Sequence, residues 1–184
     1  MRVISGKYKG GKLNPPLDQR IRPTTDRINE TIFNILSNKV EIECAEVLDL
    51  FAGSGALGIE TLSRGASMCV FIDKDADSVK VAKSNLTKLK IDAKSYEVFN
   101  VSFDFALKKL QGKQFDVIFA DPPYALKLEE KVLELVIKSD VLKPNGVIVV
   151  EHDTSNKFSI PDAFACDERE MGNTTVSFLT YERG

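Results

Sequence analysis

An α/β fold is what this sequence predicts: a mostly parallel sheet covered by helices on both faces and finished by an antiparallel hairpin. Three observations lead there. Between residues 46 and 151, short runs rich in Val, Ile and Phe alternate with amphipathic stretches of helical period. The connections between them are short, which suits parallel strands joined by crossover helices. Towards the end the alternation stops, and two strand-like runs flank Glu170-Met171-Gly172-Asn173 in the manner of a hairpin.

Taken in order, residues 3–5 and 12–13 flank Gly6-Lys7-Tyr8-Lys9-Gly10-Gly11, whose glycines allow a tight reversal, so a small hairpin is expected before Pro15-Pro16 breaks it off. An amphipathic helix is predicted from 25 to about 38, with Ile28, Ile32, Ile35 and Leu36 at helical spacing. The alternating region then reads as strand 46–51, helix 56–64 closed by Gly65, strand 68–72, helix 76–90 and strand 95–99. It continues with helix 103–110, strand 115–120, helix 128–138 and strand 146–151, and the tail reads as strands 163–169 and 174–181. No linker-like segment interrupts it. A single domain over 1–184 is therefore expected, with a basic N-terminal arm at 1–24 and a core at 25–184.

Composition narrows the class without naming an activity. Hydrophobic residues at 43% and charged residues at 28% are those of a globular chain, and no run approaches the roughly 18 apolar residues of a membrane helix. The N-terminus has no apolar leader segment, so a cytoplasmic monomer without membrane contact is the expectation. Cys44, Cys69 and Cys166 are widely separated with no C-x-x-C pair, which supports neither a disulfide framework nor a metal centre and leaves them as small buried hydrophobes. Charge is unevenly placed. Residues 1–27 hold Arg2, Lys7, Lys9, Lys12, Arg20, Arg22 and Arg27 against Asp18 and Asp26, a net of +5, which leaves −7 for the rest of a chain whose total is −2. A basic arm on an acidic body points to a local polyanion contact; a solvated extension is the plainer alternative.

Asp49-Leu50-Phe51-Ala52-Gly53-Ser54-Gly55-Ala56-Leu57-Gly58 joins the first core strand to the next helix, the place where α/β proteins seat an adenosine-containing cofactor. Gly53, Gly55 and Gly58 match the dinucleotide fingerprint, so a nicotinamide cofactor and hydride transfer are one reading. Asp49 favours another. A carboxylate at the strand's end suits a cationic ligand better than a pyrophosphate, and S-adenosylmethionine carries a sulfonium and an ammonium with no phosphate. Phe51 and Ala52 shape the loop, and Ser102, after the third strand, is a candidate neighbour of the adenine. Asp73 ends the second strand, where a carboxylate can accept both hydroxyl hydrogens of a ribose; a helix N-cap is the plainer reading.

Asp121-Pro122-Pro123-Tyr124 follows the strand 115–120 and is suited to gripping a flat ring that bears an amino group. In an open parallel sheet the ligand crevice lies beyond the carboxyl ends of the strands, which brings the loops after 51, 72 and 120 together. The Asp121 carboxylate and the Pro122 carbonyl are two acceptors for amine hydrogens, and they free a lone pair otherwise delocalised into the ring. Pro122 and Pro123 restrict the backbone that holds them. Tyr124 can stack on the base, a contact worth about 1–3 kcal/mol. His152, the sole histidine, has no evident nucleophile partner and reads as a satisfied strand-end residue.

These residues resemble the RsmD-like bacterial methyltransferases, which modify the exocyclic N2 of a guanine in 16S ribosomal RNA. The likeness covers nearly the whole chain: Val3-Ile4-Ser5-Gly6-Lys7-Tyr8-Lys9-Gly10, Arg22-Pro23-Thr24-Thr25-Asp26-Arg27 followed by Phe33-Asn34-Ile35-Leu36, the loop 49–58, and Asp121 to Tyr124. The Arg-Pro-Thr-Thr-Asp-Arg stretch discriminates best, because other amino-methyltransferases share the last two motifs. The resemblance implies a seven-stranded Rossmann-like class I methyltransferase sheet, S-adenosylmethionine as donor and no metal. It implies Asp49, Gly53 and Gly55 at the methionine end, Asp73 at the ribose, and Asp121 and Tyr124 at the amine-binding and stacking positions. It also implies a substrate of 16S rRNA within a small-subunit particle, with the basic hairpin and Arg20, Arg22 and Arg27 meeting phosphates. Ser102 stands where an acidic or amide residue is common, and Met171 where an aromatic is. The competing readings are an adenine-N6 methyltransferase on DNA or RNA, and an RNA-binding scaffold with an idle cofactor pocket.

Overall fold

A computed structural model describes residues 1–16 and 26–182. Its elements are α1 (Asp26–Leu36), β1 (Glu46–Asp49), α2 (Ala56–Ser63), β2 (Met68–Asp73), α3 (Ala76–Lys88) and β3 (Tyr96–Asn100). There follow α4 (Phe103–Lys109), β4 (Phe115–Ala120), α5 (Glu129–Ser139), β5 (Leu142–Asp153), β6 (Phe164–Met171) and β7 (Thr174–Tyr181). The seven strands form one sheet in the order β3-β2-β1-β4-β5-β7-β6. Strands β1 to β5 run parallel, and β7 enters antiparallel between β5 and β6. This is the mostly parallel, helix-covered sheet with an antiparallel C-terminal hairpin that the sequence predicts.

Burial on both faces explains the near-continuous apolar strands. Val47, Phe71, Val117, Phe119, Val147 and Val149 pack with α1, α2 and the N-terminal segment on one face. Leu48, Val70, Ile118, Ala120, Ile148 and Val150 pack with α4 and α5 on the other. Phe33 of α1 is fully buried with its ring 6.0 Å from that of Phe119, and burying such a side chain stabilises by about 1.5–3 kcal/mol.

Most element ends fall within a residue or two of the sequence reading, and the differences at β1 and β5 have physical reasons. β1 stops at Asp49 rather than 51 because the chain turns there into the glycine loop, although Leu50 N–H still donates to the Phe119 carbonyl. β5 is longer at both ends than 146–151. Its start runs through Pro144 and Gly146 at a register shift in the β4–β5 pairing, where a proline costs no ladder bond, and its far end is extended by pairing with β7 up to Asp153↔Thr174. The start expected for α1 at Thr25 lies outside the described residues.

The N-terminal hairpin forms with a single ladder bridge, Arg2↔Lys12, and it is docked on the body. Ile4 and Ser5 N–H groups donate to the two carboxylate oxygens of buried Glu60 at 2.7 and 3.0 Å. Asn14 exchanges bonds with Asn85 of α3, whose amide also donates to the Ser54 carbonyl in the glycine loop at 2.9 Å. Gly6 makes this docking possible. Its φ is +82°, and a Cβ there would lie 1.8 Å from the Ser63 carbonyl oxygen.

Candidate active site

Four neighbouring strands carry a carboxylate at the same end of the sheet: Asp73 closes β2, Asp49 closes β1, Asp121 lies just past β4, and Glu151 lies on β5 one residue past its last pairing with β4. Side chains alternate between faces along a strand. Phe71, Val47, Phe119 and Val149 all face the α1–α2 side, so two residues further on Asp73, Asp49, Asp121 and Glu151 fall on that side as well. Two motifs far apart in sequence are thereby brought to one edge of one face. Thr174 joins them, because it shares the parity of Val176 and Phe178 on β7.

Asp49 is 2% exposed, and its Oδ2 is buried without a hydrogen-bond partner. Burial pushes its pKa up to about 7, assisted by the charge of Asp73 and opposed by the Gly58 and Phe51 N–H groups. A buried, partnerless carboxylate oxygen beside a loop whose Gly53 and Gly55 take left-handed φ of 53° and 81° suits a ligand that brings its own positive charge. The donor set therefore fits the sulfonium and ammonium of S-adenosylmethionine. Asp73 ties the same loop down: its Oδ2 accepts from Gly53 N–H at 2.8 Å and its Oδ1 from Asp75 N–H at 2.9 Å. It is not the N-cap of α3; Asp75 is, accepting from Asp77 and Ser78 N–H. Each Asp73 oxygen retains lone-pair capacity for a ribose hydroxyl.

At the other motif Asp121 is half-buried and Pro122 buried. Burial first, then the charges of Glu151 and Asp49, raise the Asp121 carboxyl well above the usual range. The Tyr124 hydroxyl donates to Glu151 Oε1 at 3.2 Å and lies 3.3 Å from Thr174 Oγ1, so the ring that follows the prolines is braced by β5 and β7. Burial also raises the Tyr124 hydroxyl pKa, keeping it a donor. Glu151 and Thr174 were missed from the sequence. The signal for Glu151 was present, since it closes an apolar run as Asp49 and Asp73 do.

The family model described as conserved hypothetical protein 95 matches residues 1–180. Ribosomal RNA small subunit methyltransferase D of Haemophilus influenzae is 37% identical over 183 residues, 99% of this chain and 93% of that protein. The chain belongs to the RsmD methyltransferase family. The solved structure of yhhF from Escherichia coli shares this RsmD fold with a TM-score of 0.87 at 33% identity, covering 99% of this chain and 98% of that one. A more distant methyltransferase, solved in complex with SAH, shares the fold alone: its TM-score is 0.69 at 14% identity, over 91% of this chain and 52% of that one. Membership in the RsmD family decides methyl transfer over the hydride-transfer alternative.

The remaining candidates of this RsmD-family chain fall in several places. Phe51 packs its ring 5.2 Å from Phe103, and Ala52 N–H donates to the Ile72 carbonyl, so both shape the glycine loop. Ser102 precedes α4, and its hydroxyl bonds Asp104, lowering that carboxyl's pKa. His152 lies on the opposite face from Asp121, with Nε2 3.0 Å from Ser177 Oγ and its ring against Phe158. Arg2 pairs with Asp26 at 3.4 Å, Lys7 lies over the Tyr8 ring, and Lys9, Lys12 and Arg27 are exposed. Arg20 and Arg22 lie outside the described residues. The cysteine reading needs correction: Cys69 is buried, but Cys44 and Cys166 are exposed. Cys44 sits in a left-handed turn and Cys166 on the outermost strand, so neither reaches the core. No helix among the described residues is long and apolar enough to cross a membrane.

Proposed function

We propose that residues 1–184 act as one domain that methylates the exocyclic N2 amine of a guanine in 16S ribosomal RNA, with S-adenosylmethionine as donor. The observation that carries this reading is the convergence of Asp49 and Asp121 on one sheet edge, close enough for the charge of one to raise the proton affinity of the other. The relatives named ribosomal RNA small subunit methyltransferase D supply the substrate class.

Asp49 would meet the cationic methionine end of the donor, Gly53 and Gly55 would let it approach the backbone, and Asp73 would accept from the ribose. When bound, S-adenosylmethionine supplies an electrophilic methyl whose carbon–sulfur bond breaks with its electrons staying on sulfur. Asp121 and the Pro122 carbonyl accept the N2 hydrogens, which localises the nitrogen lone pair and aims it. The proton that N2 sheds goes to the Asp121 carboxylate, whose raised proton affinity suits it to that task. The braced Tyr124 ring stacks on a base that has left its helix, which costs a few kcal/mol and favours a loop nucleotide.

The test is incubation with labelled S-adenosylmethionine and small-subunit particles from cells lacking the enzyme, followed by nucleoside mass spectrometry and mapping. N2-methylguanosine at one 16S position is expected. N6-methyladenosine with no N2-methylguanosine would overturn the guanine assignment.

A further inference from the structure

We propose that Glu151 reads the target base as guanine by accepting its N1–H, beside Asp121 on the N2 amine; this rests on the guanine-N2 reading above. Asp121 and Glu151 each stand one residue past the last paired position between β4 and β5, Ala120↔Val150, and share a face. Glu151 is 6% exposed, and its charge is among the causes that raise the proton affinity of the neighbouring Asp121 carboxyl. Two acids side by side disfavour each other when charged, and a ligand that offers adjacent donors to both relieves that repulsion.

Guanine brings them. Its N2 amine and N1–H are adjacent donors on one edge, whereas the ring nitrogen beside the N6 amine of adenine is a bare acceptor that would meet Glu151 lone pair to lone pair. A carboxylate offers about four lone-pair sites, so accepting from Tyr124 at 3.2 Å leaves capacity for N1–H. The same contact ties the stacking ring to the edge-reading group. Glu151 thus acts as a specificity residue, and Asp121 remains the group on the reacting amine.

The test compares particles carrying the mapped target as guanine or as 2-aminopurine, which keeps the N2 amine but has no N1–H. Wild-type protein should lose about 10–100-fold in kcat/KM on 2-aminopurine. Glu151→Gln presents an amide that can donate to the bare nitrogen, so its guanine to 2-aminopurine ratio should fall at least about tenfold towards unity. A ratio unchanged by Glu151→Gln, with both substrates slowed equally, would mean that Glu151 only props Tyr124 and would overturn the inference. Should Glu151→Gln fail to fold, a wild-type ratio near unity overturns it alone. Absence of N2-methylguanosine from wild-type protein on guanine particles would instead sink the underlying reading.

Discussion

Asp49 carries an acid–base consequence that can be measured without substrate. Its pKa in the folded chain, about 7, lies above the ordinary 3.8, so the folded state holds a proton that the unfolded state has lost between those values. Ligand-free stability contributed by this group is therefore complete at low pH and is lost as pH rises to about 7, and Asp49→Asn should flatten that part of the pH profile in thermal melts. A bound cation favours the charged form, which gives binding the opposite sign. S-adenosylmethionine affinity should weaken by up to about tenfold per pH unit below about 7. Calorimetric titration at about pH 6 and pH 8 checks this, and equal affinities would remove Asp49 from the cationic end of the ligand. Asp121→Ala should abolish turnover while sparing cofactor binding. Near-normal turnover would refute its role at the amine.

Among the elements, the N-terminal hairpin is held less by its own ladder than by α2. Glu60, 2% exposed, satisfies two hairpin N–H groups and Arg64, and Gly6 allows the backbone to reach Ser63. A side chain on Gly6 must displace the hairpin, because the obstruction is backbone rather than a flexible tip. Gly6→Ala should lower the melting temperature and cost protection in hydrogen exchange at the Ile4 and Ser5 amides, each buried unpaired group being worth about 1–3 kcal/mol. Unchanged protection at those two amides would show that the hairpin docks some other way. The hairpin was legible from its glycines; its seat was not, since nothing local to residues 3–13 marks Glu60 or Asn85 as partners.

Over the whole molecule, charge separates into a basic N-terminal segment, net +5 over residues 1–27, and a body of −7. Residues 2–14 of this segment dock against α2 and α3, and Asn85 links them to the glycine loop, so a polyanion bound by the hairpin would lie near that loop. Reversing Lys7 and Lys9 to Glu should weaken RNA binding and reduce its salt slope by about 1 for each phosphate no longer neutralised, with cofactor affinity unchanged. An unchanged slope would take both lysines out of the interface.

The order and type of the core elements, the glycine loop with Asp49 and the Asp121–Tyr124 tetrapeptide were all determined by the sequence alone, because hydrophobic period and turn chemistry are local. Which strand ends are neighbours is not local. β4 lies beside β1, and β7 inserts between β5 and β6, so only pairing set Asp73, Asp49, Asp121 and Glu151 in a row on one face and His152 on the other. The same pairing lengthened β5 to Asp153 and brought Thr174 to Tyr124. Sequence named the chemical groups; strand order and side-chain parity, which exist only once the sheet has formed, decided which of them share a site.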